Sequence, residues 1–287
     1  MNKLILLCLL LFVESNLIAQ DKVFETFKDT RVINTHSVET LQKRQIDFRI
    51  GHRFGDLFGD RGGWSTFYGL ENAADVYFGF DFGLSDKLTV GISRTKGAGQ
   101  LKQLVNGTVK YRVLQQSTGE QSMPISLTAL GILSYSTMAQ SDRPEAINRF
   151  EKGAHRMVYA VQLLIARKFS NRFSLQIVPS YVHRNVVPFG DSNDLFSLGV
   201  AGRLQLTKAL GIILDTTLPL SGSRPDDTDY YVPLGIGLEF DTGGHVFQIN
   251  FTNSMGIVAT DYIPYTTSNW LDNQFRLGFT ISRIFNI

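Results

Sequence analysis

The chain reads as an all-β protein, a transmembrane up-and-down antiparallel β-barrel of about twelve strands, and three observations in its 287 residues lead there. The last stretch, residues 273–287, alternates almost to the final residue. Phe275, Leu277, Phe279, Ile281 and Phe285 fall on one side, and Gln274, Arg276, Gly278, Thr280 and Ser282 on the other. Similar alternating segments recur about twelve times, each near the 9 to 11 residues of a tilted membrane strand. The connectors between them are short and long in turn, the rhythm of a barrel with tight turns at one end and large loops at the other.

The elements follow in order. Residues 1–20 read as an export leader: Lys3 is the basic start, 4–13 the apolar core, and Ala19-Gln20 the small-residue cleavage site. Cys8 lies inside that core, so the chain from Asp21 onward holds no thiol, and disulfides, cysteine metal sites and cysteine nucleophiles are excluded. Residues 21–44 are expected to be a periplasmic lead-in that caps the barrel floor, with a fold-back plug centred on Thr35-His36-Ser37 as the alternative. Residues 45–287 are the barrel. Its strands are expected at 46–54, 74–82, 88–93, 108–113, 125–135, 157–165, 173–181, 196–205, 210–217, 232–240, 247–252 and 275–285. Leu130, Ile132, Leu164, Val178 and Val182 sit on the wrong face of the fifth to seventh of these and blur the alternation. Long connectors at 55–73, 96–107, 136–156, 184–195, 218–231 and 253–273 alternate with short ones near 85–86, 116–124, 170–172, 207–208 and 242–244.

Alternation alone also fits a soluble sandwich with its apolar faces buried. Three features favour the membrane. The polar faces are Gly, Ser, Thr and Asn with charges of both signs, as a crowded lumen requires. Aromatic residues gather near strand ends, Phe82, Phe173, Phe240, Phe247 and Phe285 by the short turns and Phe54, Tyr135, Tyr181, Phe196 and Phe275 by the long loops, like two interfacial girdles. No helices are available to cover the apolar faces, whereas lipid is. The chain ends on Ile287 rather than an aromatic residue, with Phe285 keeping the parity.

The formal charge of +2 gives no clustered basic face for nucleic acid. Charges expected on the lumen side are Asp47, Arg49, Arg53, Asp75, Asp81, Lys110, Arg112, Arg203, Asp215, Glu239 and Arg276. They would either line a narrow aqueous path and set ion preference, or pair across the lumen and close it. The five histidines have no ligand-like spacing, and no catalytic, cofactor or metal site is expected. His155 and His183 near Asp142, Glu151, Asp191 and Asp194 are the one arrangement that hydrolytic chemistry would need. Loop runs at Gly62-Gly-Trp-Ser65, Asp226-Asp-Thr-Asp-Tyr-Tyr231 and Asp261-Tyr-Ile-Pro-Tyr-Thr-Thr267 have the acid-aromatic mixture of calcium or sugar contacts, without a calcium-loop pattern.

Asp29-Thr-Arg-Val-Ile-Asn-Thr-His-Ser-Val-Glu-Thr-Leu41, Asp47-Phe-Arg-Ile-Gly-His-Arg-Phe-Gly-Asp56, Gly69-Leu-Glu-Asn-Ala-Ala-Asp75 and Gly83-Leu-Ser-Asp-Lys-Leu-Thr-Val-Gly-Ile-Ser-Arg94 together resemble a β-barrel family of Bacteroidota whose function is unknown. The resemblance extends over essentially all of the chain after the leader. It implies an outer-membrane location and brings neither substrate nor catalytic residues. The expected activity is a narrow porin-like conduit for ions or small polar solutes. The competing expectation is a sealed barrel, a scaffold or anchor for periplasmic or surface partners, with an outer-membrane hydrolase as a remote third. Outer-membrane lipid and small polar solutes are the expected partners, with a periplasmic protein as a further one, and the chain is expected to be a monomer.

Overall fold

The structure, a computed structural model, describes residues 21–120, 122–220 and 230–287. The leader at 1–20 and the acids Asp226, Asp227 and Asp229 lie outside the described residues. Twelve antiparallel strands close into one barrel in chain order. They are β1 (Gln45–Phe54), β2 (Ala73–Ser85), β3 (Leu88–Thr95), β4 (Leu104–Leu114), β5 (Ser126–Ser136), β6 (Met157–Lys168), β7 (Phe173–Arg184), β8 (Asp194–Gln205), β9 (Leu210–Pro219), β10 (Leu234–Asp241), β11 (Val246–Thr252) and β12 (Arg276–Asn286). β12 closes the ring on β1, with Phe285 opposite Ile46 and Asn286 opposite Gln45. Closure pairs every strand on both sides, which removes the open edge that hydrocarbon does not tolerate.

The twelve expected strands are all present, and the differences are at their ends. β4 begins at Leu104 rather than 108, because Leu104, Asn106 and Thr108 continue the inward face and pair with β3 and β5. β10 begins only at Leu234: Val232 leaves the ladder, and its carbonyl accepts from the Asn253 side chain instead.

One face of each strand is apolar and exposed, the other polar and buried. Phe78, Ile92, Val109, Val161, Ile177, Phe196, Leu214, Ile236 and Ile249 are all exposed on the outside. Thr95, Thr128, Ser136, Gln176, Asn250 and Thr252 are buried on the inside. A water-soluble protein has no reason for this inversion, while a bilayer around the barrel satisfies it. The transmembrane up-and-down barrel is therefore the fold.

The interior is not purely polar. Leu130, Ile132, Val158, Ala160, Leu164, Val178, Val182, Leu195 and Ile213 project inward and join one buried cluster with Phe27, Val32, Ile33 and Val38 from before β1 and Ile257, Val258, Ala259, Tyr262 and Ile263 from the β11–β12 connection. The residues that blur the alternation of β5 to β7 have a partner inside the barrel.

Candidate functional site: the lumen and its two inserts

Among the described residues two segments occupy the lumen, one from each end. From the short-turn end comes the segment before β1, whose residues 26–41 are almost all buried. A cap on the barrel floor does not describe it, since its apolar side chains reach the inward leucines and valines of the wall. It enters beside the β2–β3 turn, where the Leu41 amide donates to Thr89 Oγ1 at 2.9 Å and the Lys43 amide to Asp86 Oδ1 at 3.0 Å. Gly83 permits this approach: a Cβ there would lie 1.9 Å from the Gln42 carbonyl oxygen. Arg31–Val32 pairs with Thr35–His36 in a minimal hairpin, and Ile33 in its turn takes a left-handed φ of 51°.

Asp215 on β9 holds the tip of that hairpin. Its carboxylate accepts the Asn34 amide at 2.8 Å, the Thr35 amide at 2.9 Å and the Asn34 side-chain nitrogen at 3.0 Å. Beside Asp215 on the same wall is its cross-strand neighbour Gly235, where a Cβ would come within 2.8 Å of Ile33. Arg53 donates to the Asn34 side-chain oxygen at 2.7 Å and also to Asn250. At mid-height Arg49 pairs with both Asp29 and Asp47, at 2.9 Å to the latter, and Arg31 donates to the Tyr77 hydroxyl at 2.8 Å. Three further wall side chains donate to insert carbonyls: Lys110 to Glu39 at 2.6 Å, Thr128 to Val38 at 2.7 Å and Gln176 to His36 at 2.7 Å. His36 is buried, and desolvation together with the charges of Arg31, Lys110 and Arg49 holds its imidazole neutral, well below the ordinary histidine value.

From the long-loop end comes the β11–β12 connection, with the short helix α1 (Ala259–Tyr265) wholly buried and Pro264 inside it. The Asp261-Tyr-Ile-Pro-Tyr-Thr-Thr267 run, which has the composition of an exposed calcium or sugar loop, is here interior. The Asp261 carboxylate accepts the Ala98 and Gly99 amides at 2.6 and 2.5 Å. Asp75 on β2 accepts the Gly97 amide at 2.9 Å and the Ile257 amide at 3.1 Å. The two carboxylates thus tie α1, the β3–β4 connection and the wall together at backbone amides, the groups an isolated short loop leaves unsatisfied.

Every charge expected on the lumen side lies on the inward face. Asp47, Arg49, Arg53, Asp75, Asp81, Lys110, Arg203, Asp215, Glu239 and Arg276 are buried, and Arg112 is half-buried. Arg203 pairs with Glu239 at 2.6 Å, Arg112 reaches Glu39 at 3.8 Å, and Arg276 donates to Ser268 in the inserted loop at 2.6 Å. Asp29, Asn34, Glu39 and Asp261, the inserts' side of this network, carried no sign of the role in their local sequence. The inward apolar residues of β5 to β7 were the signal that something apolar fills the ring. Among the described residues part of the wall has no hydrogen-bond partner: Asp47 Oδ1, Arg53 Nε, Gln162 Oε1, Gln176 Oε1, Arg203 Nη2, Asn250 Nδ2 and Arg276 Nε are buried and unmatched there.

The histidines considered for hydrolysis are apart from the lumen network. His183 lies 2.7 Å from Asp194, which also accepts the Tyr181 hydroxyl. Asp191 pairs instead with Arg184 at 2.8 Å. His155 lines a separate cleft of about 420 Å³ with Arg149, Glu151 and Asn185. Among the described residues no three His, Cys, Asp or Glu side chains are grouped to hold a metal ion.

A closed polar-lined ring with an apolar outside defines a membrane β-barrel. The chain belongs to the membrane-bound β-barrel domain family DUF5777, whose model matches residues 27–285. The match begins within the N-terminal insert. No curated protein matches the sequence. Among solved structures, the KdgM porin in complex with disordered oligogalacturonate is 9% identical, with 83% of this chain and 98% of that one covered at a TM-score of 0.48. The COG4313 outer membrane channel from Pseudomonas putida F1 is 14% identical, with 86% and 98% covered at 0.48. The outer membrane protein Omp33 of Acinetobacter baumannii is 9% identical, with 85% and 99% covered at 0.42.

Proposed function

We propose that the protein is a monomeric outer-membrane barrel of Bacteroidota, exported by a leader cleaved near residue 20, and a narrow conduit for ions or small polar solutes that this conformation holds closed. The observation that carries the reading is the unmatched polar wall. Buried polar groups that protein leaves unpaired take water, and here they occur on β1, β6, β7, β8, β11 and β12. Water held between wall and inserts would be the start of a path, and the eleven inward charges would border it. The N-terminal insert is the proposed movable part: it is held at one end by β1 and at the other by the pairing of Asp21–Lys22 with Ser117–Thr118 of the β4–β5 connection, but much of its grip is hydrogen bonds and ion pairs that water can replace.

The second reading, a sealed barrel that anchors or scaffolds a periplasmic or surface partner, is favoured by the apolar part of the same insert. Phe27, Val32, Ile33 and Val38 are buried against inward leucines and valines. Planar-bilayer recordings on the full chain and on a chain lacking residues 21–41 separate the two. Small or rare openings from the full chain and a steady current from the shortened one are expected. Silence from both, with each shown folded, leaves the sealed barrel.

A further inference from the structure

The β1–β2 connection carries a group of rings that none of the described residues covers. Trp64 is 74% exposed, Phe58 56% and Phe67 49%, and Tyr68 is exposed beside them. They sit on a compact loop. The Gly63 amide donates to the Leu57 carbonyl at 2.8 Å, the Tyr68 amide to the Gly63 carbonyl at 2.7 Å and the Phe67 amide to the Trp64 carbonyl at 3.0 Å. Gly69, at φ 75°, seats the loop against the rim, where a Cβ would lie 2.5 Å from the Gly55 carbonyl carbon. Phe67 and Tyr68 are consecutive residues at φ 49° and 55°, a region that bulky side chains rarely enter. The loop accepts this unfavourable backbone and turns its rings outward.

The rings continue the lipid-facing wall. Between ring centroids, Phe251, on the outside of β11, lies 6.2 Å from Phe275, Phe275 5.8 Å from Phe58, Phe58 5.6 Å from Tyr68, and Tyr68 6.2 Å from Trp64. The Leu57 amide donates to the Phe275 carbonyl at 2.8 Å, so the loop also extends the β1–β12 seam upward. An unbroken line of rings therefore runs from the hydrocarbon face to the tip of the loop, with Asp56, Asp60, Arg61 and Glu71 interspersed along the same connection. Rings with an apolar body and a polar edge, flanked by charges, are the composition of the bilayer interface.

We propose that this loop is a membrane-surface anchor: Phe58, Trp64, Phe67 and Tyr68 insert among the lipid headgroups and upper acyl chains of the leaflet at the long-loop end. The anchor is one-sided, beside the β12–β1 seam where the barrel closes. It fixes the height and tilt of the rim there, whether or not the lumen conducts.

Trp64 and Trp270 are the chain's only tryptophans, so W270F leaves Trp64 as the sole indole. The full-length variant is reconstituted in phosphatidylcholine vesicles, in which lipids brominated high or deep on the acyl chain and aqueous iodide compete to quench it. Stronger quenching by the high bromines than by the deep ones, with iodide several-fold less effective than on a free indole, is the expected result. Iodide quenching at the free-indole level without bromine quenching overturns the proposal. Protection from both quenchers also overturns it, since a second copy or another protein would then cover the rings. If the Trp270 change disturbs the rim, a nitroxide on S65C in a C8S chain reads the same depth with both tryptophans retained. More frequent collisions with oxygen than with a water-soluble nickel chelate support the anchor, and the reverse rejects it.

Discussion

The N-terminal insert and the β11–β12 insert fill the same lumen by different means. The first runs into β1 at one end and is paired at the other through Asp21–Lys22 with Ser117–Thr118; its hairpin tip is clamped by Asp215 and its flanks are held by Arg49, Arg53, Lys110, Thr128 and Gln176. The second is a loop fixed to a strand at both ends, docked through Asp261 onto the Ala98 and Gly99 amides. Withdrawing the first breaks its lumen contacts and the pairing of Asp21–Lys22 with Ser117–Thr118, whereas the second can only rearrange within the span of its own ends. The difference teaches where opening of the proposed conduit would begin: at contacts that water can replace rather than at a loop joined to two strands.

Four changes would break or sharpen that contrast. The largest effect is expected from removing residues 21–41, which should raise single-channel conductance by about tenfold or more because the N-terminal insert then no longer obstructs the ring. An unchanged current trace would assign the seal to the β11–β12 loop instead. Next is Arg49→Ala, which leaves Asp29 and Asp47 buried side by side without their shared cation. A loss of about 3–5 kcal/mol of stability is expected, read as a lower midpoint of denaturant unfolding in detergent. A midpoint within error of the parent would mean that water already reaches those carboxylates.

Asp215→Ala should be milder and more local. It removes three hydrogen bonds at the hairpin tip, about 2–4 kcal/mol of insert docking, and should raise hydrogen exchange at Asn34 and Thr35 while the strand amides stay protected. Equal exchange in both proteins would show that the tip is held by Ile33 and its apolar neighbours. The smallest effect concerns Asp261. Burial first, and the Asp75 charge second, raise its carboxyl from 3.8 to about 7 when the loop is docked. The docked loop therefore binds a proton that an undocked loop would release, so docking is strongest below the ordinary carboxylate value and weakens as the pH rises through about 7. Limited proteolysis of 253–268 should speed up over that interval, and Asp261→Asn should flatten the profile. A parent profile already flat would separate Asp261 from loop docking.

Much of the wall was legible because a strand writes its two environments into alternate residues. Phe275, Leu277 and Phe279 against Arg276, Gly278 and Thr280 require only that one side meet an apolar medium and the other a polar one. That reading is broken on β5 to β9 by inward apolar residues such as Leu130, Leu164, Val178, Leu195 and Ile213, and at strand ends, where Leu104 and Val232 are decided by what the neighbouring strand or loop offers. The inserts were not legible in the same way. The segment 26–41 has no period, and its fit to the lumen depends on partners far along the chain, such as Asn34 with Asp215 and Asp29 with Arg49. Leu130, Leu164 and Val178 did mark the place, since an apolar residue facing a polar lumen needs company, yet they did not say which segment supplies it.

The sequence by itself determined a ring of about twelve strands and, where the alternation is clean, which face of a strand is apolar, because those features follow from a two-residue repeat and from the requirement that hydrocarbon see no unpaired backbone. Only the tertiary structure decided that the ring is filled, from which ends and by which segments. Filling a lumen is a matter of shape and of donors meeting acceptors across the barrel, and neither has a spacing along the chain.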